Sequence, residues 1–191
     1  NHANKANAKN TYAIITKYFA ICGSAILLFV IVYIDFFKTL LIKNEAYWVA
    51  LSIVPLILLA NLCLGIYHNL SVWYKVTDRT RYGAYISVIG ACITLVLNFI
   101  LIPEIGYMGA AVATLAAYSA MMFLSYFLGR KYYRVPYDVM RIGAYLVIAI
   151  GFGGVSFYIF ERNLWIGTAL LLVFLLLVFF LERQEIQRII K

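Results

Sequence analysis

The sequence predicts an all-α fold, a polytopic bundle of six transmembrane helices, and three observations carry that prediction. Hydrophobic residues make up 65% of the chain and charged residues 13%, where soluble domains run nearer one half and one quarter. The charges fall in short clusters separated by long stretches that contain none. Six stretches approach the ~20 apolar residues a helix needs to cross hydrocarbon, and none shows the period-two polar alternation of an outer-membrane barrel.

The elements follow in order. Asn1–Asn10 is polar and carries Lys5 and Lys9; residues 1–11 read as a cytoplasmic loop remnant. A signal peptide would show a basic start, a short apolar core and a small-residue cleavage site. With Asn1 in place of Met, the chain is expected to start inside a longer protein. Span 1 covers about 12–34 and includes Lys17, whose stem lets the ammonium snorkel back to the interface; a cavity-facing cation meeting a phosphate is the alternative. Phe36–Leu41 is too short to span and reads as an amphipathic hook lying in the interface.

Span 2 covers about 46–72. Pro55 removes a backbone bond and clashes with the Leu51 carbonyl, which predicts a kink. Asn61, Gly65 and His68 share one face, with Asn69 adjacent. Polar groups are costly against lipid, so this face is expected to turn toward other helices as hydrogen-bonding glue, or toward an aqueous cavity.

Spans 3 and 4 cover about 82–103 and 105–129. Lipid tails give no hydrophobic drive for helix association, so membrane helices meet where small residues let backbones approach. Span 4 has Gly106, Ala110, Ala113, Ala117 and Ala120 at alternating spacings of four and three, and span 3 has Gly83, Ser87, Gly90, Thr94 and Asn98. A helix-packing seam through Gly83, Gly90, Gly106, Ala110, Ala113 and Ala117 is predicted. The basic stretch 130–141, with Pro136, is expected to be a cytoplasmic loop. Spans 5 and 6 cover about 142–160 and 163–181, before a cytoplasmic tail at 182–191. Gly143, Gly151, Gly153 and Gly154 in span 5 read as packing positions, or as a hinge.

Orientation comes from the cations. Lys5, Lys9, Lys17, Lys75, Arg79, Arg81, Arg130, Lys131, Arg134, Arg141, Arg183, Arg188 and Lys191 fall on one side of the six spans, and Lys38, Lys43 and Arg162 on the other. The positive-inside rule makes the richer side cytoplasmic, with both chain ends on it. Tyr47, Trp48, Trp73, Tyr74, Tyr132, Tyr133 and Trp165 sit where interfacial aromatic belts are expected.

Several chemistries find little support. The net charge of +8 forms no continuous stripe or groove-entering element, so nucleic acid is not an expected partner. Cys22, Cys63 and Cys92 lie in apolar runs without a CxxC pair, as packing residues rather than a disulfide or metal framework. None of the eight acids lies at the centre of a span, which disfavours a metal site, a carboxylate pair and a proton relay. No cofactor and no catalytic residue is expected; His68 lacks a nucleophile at any recognisable spacing. Candidate cavity or substrate contacts are Lys17, Asn61, His68, Asn98, Arg79 and Arg81. The last two belong to Thr77-Asp78-Arg79-Thr80-Arg81, which reads first as a helix N-cap with topology-setting charge, and second as a contact for anionic headgroups or a diphosphate.

A family resemblance rests on three segments: Trp73-Tyr74-Lys75-Val76-Thr77-Asp78-Arg79-Thr80-Arg81-Tyr82-Gly83-Ala84, Asn98-Phe99-Ile100-Leu101-Ile102-Pro103, and Gly106-Tyr107-Met108-Gly109-Ala110-Ala111-Val112-Ala113-Thr114. A basic loop, a small-residue helix ending in N-x-x-L-I-P, a one-turn break and G-x-x-G-A-A-x-A-T follow one another. In this order the chain resembles the C-terminal part of bacterial polysaccharide and O-antigen flippases of the multidrug/oligosaccharidyl-lipid/polysaccharide exporter superfamily. The resemblance covers about Leu70–Tyr118. It implies a fourteen-span, two-lobe transporter of which these are spans 9–14, with an N-terminal lobe supplied by the same protein. It further implies alternating access, a lipid-linked, diphosphate-bearing oligosaccharide as the partner besides membrane lipids, and the bacterial inner membrane as the location. Phe174, Leu175, Leu176, Phe179 and Phe180 suit contact with the lipid tail or with the bilayer. A membrane-embedded enzyme acting on lipid intermediates and a lobe of another multi-span exporter are the alternative readings.

Overall fold

The computed structural model describes the backbone of residues 2–190 and the side chains of residues 7–45, 48–183 and 185. Asn1, Lys5, Tyr47, Arg188 and Lys191, used above, lie outside the described side chains. Among the described residues all regular structure is helical: α1 His2–Val32, α2 Ile34–Leu41, a 3₁₀ stretch Glu45–Ile53, α3 Val54–Leu70, α4 Val72–Val76, α5 Arg81–Ile105, α6 Tyr107–Tyr132, α7 Val139–Gly154, a π-helical turn Val155–Ile159, and α8 Leu164–Ile190. Six helical segments are long and apolar enough to cross a membrane: Asn7–Val32, Trp48–Val76, Arg81–Ile105, Tyr107–Tyr132, Val139–Ile159 and Leu164–Arg183. The described residues are thus all-helical with six helices long and apolar enough to span a membrane, as the charge spacing predicts.

The element ends differ from the sequence reading. Helix α1 begins at His2, so residues 2–11 are not a loop remnant; Ala3, Ala6 and Ala8 favour helix, and no Gly or Pro interrupts them. Helix α8 likewise runs through most of the expected tail to Ile190. The expected loop at 130–141 shrinks to 133–138, because α6 continues to Tyr132 and α7 starts at Val139. Pro55 lies beside a change of helix type rather than inside a regular α-helix. The chain before it is 3₁₀, and Pro55 falls in the first turn of α3, where its missing N–H would have had no intrahelical acceptor. The segment after span 1 is helical, as the expected hook requires, with Asp35 and Lys38 paired at 3.1 Å.

The chain divides into two compact units, Asn1–Ala20 with Val49–Val139, and Ile21–Trp48 with Met140–Lys191. In the first, α6 packs against both α3 and α5. Its buried stripe is Gly109, Ala113, Ala117, Met121, Ser125 and Gly129, each four residues from the last. At Gly109 the α5 backbone comes so close that an added Cβ would stand 2.6 Å from the Leu101 carbonyl; at Gly90 the Met121 side chain fills the place of the absent Cβ. In the second unit, Leu28 and Val32 of α1 pack with Ala149 of α7 and with Leu171 and Phe174 of α8. Tyr33 and Thr168 hydroxyls lie 3.2 Å apart, and Gly167 leaves room for Val32 and Ser156.

Candidate functional site

The first unit gathers aromatic rings and cations at one end. The end of α3 and the short α4 deliver Tyr67, Trp73 and Tyr74, α5 brings Tyr82 in its first turn, and α6 brings Tyr132 in its last. Trp73, 1% exposed, stacks on Tyr132 at 5.7 Å and 17°, and its indole N–H donates to Ser125 Oγ at 3.3 Å. The Tyr82 and Tyr132 hydroxyls meet at 2.8 Å. Two glycines permit this packing. A Cβ on Gly129 would stand 2.9 Å from the Trp73 ring, and one on Gly83 2.9 Å from the Tyr74 ring.

Cations cap the rings. The Arg79 guanidinium lies 4.3 Å over Tyr132, and the Lys9 ammonium 4.4 Å over Tyr133. Arg79 is held by its backbone: Asp78 takes a left-handed φ of 55°, and the Arg79 N–H donates to Tyr74 O at 2.8 Å. The expected N-cap in this segment is absent. Thr80 already has helical dihedrals, so its hydroxyl makes no capping bond, whereas Thr77 closes the preceding helix by donating to Trp73 O at 2.8 Å. Beyond the span, burial and then the nearby Tyr12 push the Tyr133 phenol up.

The candidate contacts are placed as follows. Arg79 joins the cluster, and Arg81 opens α5 exposed beside it in sequence. Lys17 is 4% exposed, next to Thr16 at 1% and 5.1 Å from the Tyr18 ring; it does not snorkel along an open surface. Asn61 and His68 are exposed on one face of α3. Asn61 donates to Ile57 O at 2.9 Å and Asn69 to Gly65 O at 3.0 Å, each back to its own helix, and His68 packs beside Tyr67. Hydrogen bonds from this face to other helices are absent among the described residues. Asn98 on α5 is half-buried, and its Oδ1 has no partner among them.

The seam is shifted from its expected register. Gly83, Gly90, Ala113 and Ala117 lie in contacts, but Gly106 has φ +59° with open space around it and serves as the break between α5 and α6. Ala110 and Ala120 are only half-buried. The reason is that α6 serves two neighbours, so an even four-residue stripe replaces one alternating seam. Phe174, expected at the lipid tail, is instead fully buried in the second unit's core, while Leu175, Leu176, Phe179 and Phe180 are exposed.

One polar group escaped the sequence reading. Glu182 is fully buried, accepts a bond from Tyr145 Oη at 2.7 Å and faces Arg141 at 3.5 Å, which also pairs with Glu185 at 3.1 Å. Arg141 and Glu182 end the charge-free runs of two antiparallel spans, a pairing that short connections between spans 5 and 6 already imply. No protein-family model matches the chain, and no curated protein or solved structure does.

Proposed function

We propose that this chain is the C-terminal part of a transporter that moves lipid-linked oligosaccharide from the cytoplasmic to the outer face of a bacterial inner membrane. It would supply the last six of fourteen spans, with both ends cytoplasmic, and an N-terminal lobe would complete the cavity. The observation that carries this reading is the uncovered polar face of α3. Asn61 and His68 lie in an apolar segment long enough to span, and both are exposed, without a hydrogen bond to another helix among the described residues. Polar side chains at membrane depth turn to protein or to a water-filled cavity. A second lobe across this face supplies both, and a large glycan needs such a cavity in place of its water.

The cationic aromatic cluster supports the same reading, because Arg79 and Lys9 stand at the end of apolar helices where a diphosphate would lie. The test is deletion of the gene in its native host. Lipid-linked glycan is expected to accumulate on the cytoplasmic face while its synthesis continues. Normal export without the gene overturns the proposal, and loss of synthesis itself favours a membrane-embedded enzyme.

A further inference from the structure

The C-terminal part of α6 and the connector after it border a half-open cavity of about 180 Å3, lined by Tyr126, Arg130, Arg134, Val135, Pro136 and Tyr137. The apolar length of α6 ends at Tyr132, so the cavity lies at the level where a bilayer changes from acyl chain to headgroup. Its far wall is a folded connector. Tyr133 N–H stays bonded to Gly129 O at 2.8 Å, after which Tyr137 N–H donates to Val135 O at 2.9 Å and Val139 N–H to Tyr137 O at 3.0 Å. Pro136 centres the first of these three-residue turns, where its fixed φ suits an inverse γ-turn.

The chemistry of the lining is specific. Two exposed arginines line it together with two tyrosines, a valine and a proline. The ion pairs among the described residues engage Asp35, Glu182 and Glu185 and leave Arg130 and Arg134 out. Asp138, the carboxylate of the connector, has a contact of its own. Guanidiniums bind tetrahedral oxyanions through paired N–H donors, and flat apolar walls suit the first carbons of an ester arm. The volume is below the ~300 Å3 at which drug-sized pockets begin, so it matches a phosphate with its ester arms better than a glycan repeat.

We propose that this cavity binds the phosphate of an anionic glycerophospholipid, with Arg130 and Arg134 donating to its oxygens. The site does not rest on the transport reading and would be present whatever the complete protein carries. Native mass spectrometry of the full chain in detergent tests it, titrating phosphatidylglycerol against phosphatidylcholine of the same acyl length, with inorganic phosphate as a competitor. Phosphatidylglycerol is expected to be retained preferentially, and Arg130→Gln/Arg134→Gln to weaken that retention by about thirtyfold. The charge-matched variant Lys43→Gln/Lys75→Gln is expected to change it by less than about twofold, since neither lysine lines the cavity. Should the glutamine variant lose helical circular dichroism, Arg130→Lys/Arg134→Lys carries the test, with a several-fold loss expected because an ammonium lacks the fork. Equal retention of the two lipids, an equal loss in the lysine-site control, or no loss in the Lys-for-Arg variant overturns the proposal. Displacement of the lipid by millimolar phosphate also overturns it, in favour of a free-anion site.

Discussion

A missing side chain matters at a helix contact only according to what would have to move to admit one, and the glycines of this chain differ widely in that respect. At Gly109 a Cβ would meet the Leu101 carbonyl carbon and oxygen at 2.6 Å, backbone atoms that cannot rotate away. Gly109→Ala therefore forces α5 and α6 apart, and a loss of about 1–3 kcal/mol is expected. At Gly90 the neighbour is the flexible thioether of Met121, so Gly90→Ala is expected to cost less. Gly143 faces open space, and Gly143→Ala should gain about 0.5–1 kcal/mol by helix propensity. Thermal midpoints in detergent should rank the three in that order; equal midpoints would show that the α5–α6 approach is looser than this. The sequence shows that these positions are small, but not which ones touch backbone. Tyr137 adds a prediction in pH. Its hydroxyl is covered without a partner in hydrogen-bonding geometry, and burial, then Tyr133, push it up to about 12 from an ordinary 10.0, against an opposing pull from Thr16. Below pH 10 both states keep the proton and stability is unaffected. Between 10 and about 12 the unfolded phenol ionises while the folded one does not, so stability falls as pH rises. Tyr137→Phe should flatten that fall in melting curves taken from pH 9 to 12.

At the scale of elements, the helices of each unit are held by a few contacts with different physical bases. Helix α6 is held by smallness: Ala113 and Ala117 are 0% and 1% exposed. Ala113→Leu should reduce the folded, monodisperse yield on size exclusion far more than Ala110→Leu, whose site is half-buried. Helices α7 and α8 are held by a polar tie as well as by packing. Tyr145, 1% exposed, donates to the fully buried Glu182 at 2.7 Å. Tyr145→Phe takes a donor from a buried carboxylate, and a loss of about 1–3 kcal/mol is expected; an unchanged thermal midpoint would mean that Arg141 alone suffices. Both cases show where sequence reading stops. Spacing identified α6 as the helix of close approaches, but a periodic pattern does not reveal how many neighbours a helix has, and two neighbours moved the seam off Gly106 and Ala110. Glu182 ends an apolar run, where sequence alone suggests an exposed charge, yet burial depends on the partner helix, which brings Tyr145 and Arg141 alongside.

The molecule as a whole was legible to the extent that hydropathy and charge govern it. Six spans follow from apolar length alone, and most of the boundary errors were shortfalls, because helix propensity carries α1 and α8 well past the point where their side chains turn polar. The candidate site was legible only in part. Arg79 stood out in a basic segment, but its place over Tyr132 depends on a left-handed Asp78 and on glycines at 83 and 129, which no one-dimensional pattern connects. The whole-molecule property on which the transport reading turns is the direction of threading. Thirteen of the sixteen Lys and Arg residues fall on one side of the spans, and cations resist translocation. In a variant without Cys22, Cys63 and Cys92, Lys43→Cys should react with a membrane-impermeant maleimide in intact cells. Lys75→Cys should react only after permeabilisation, since one span lies between the two positions. The same pattern at Arg162→Cys and Lys131→Cys would extend the result to the later spans. The reverse pattern would place Arg79, Lys9 and the Arg130–Arg134 cavity on the outer face, where the proposed uptake of a cytoplasmic lipid-linked glycan has no starting point.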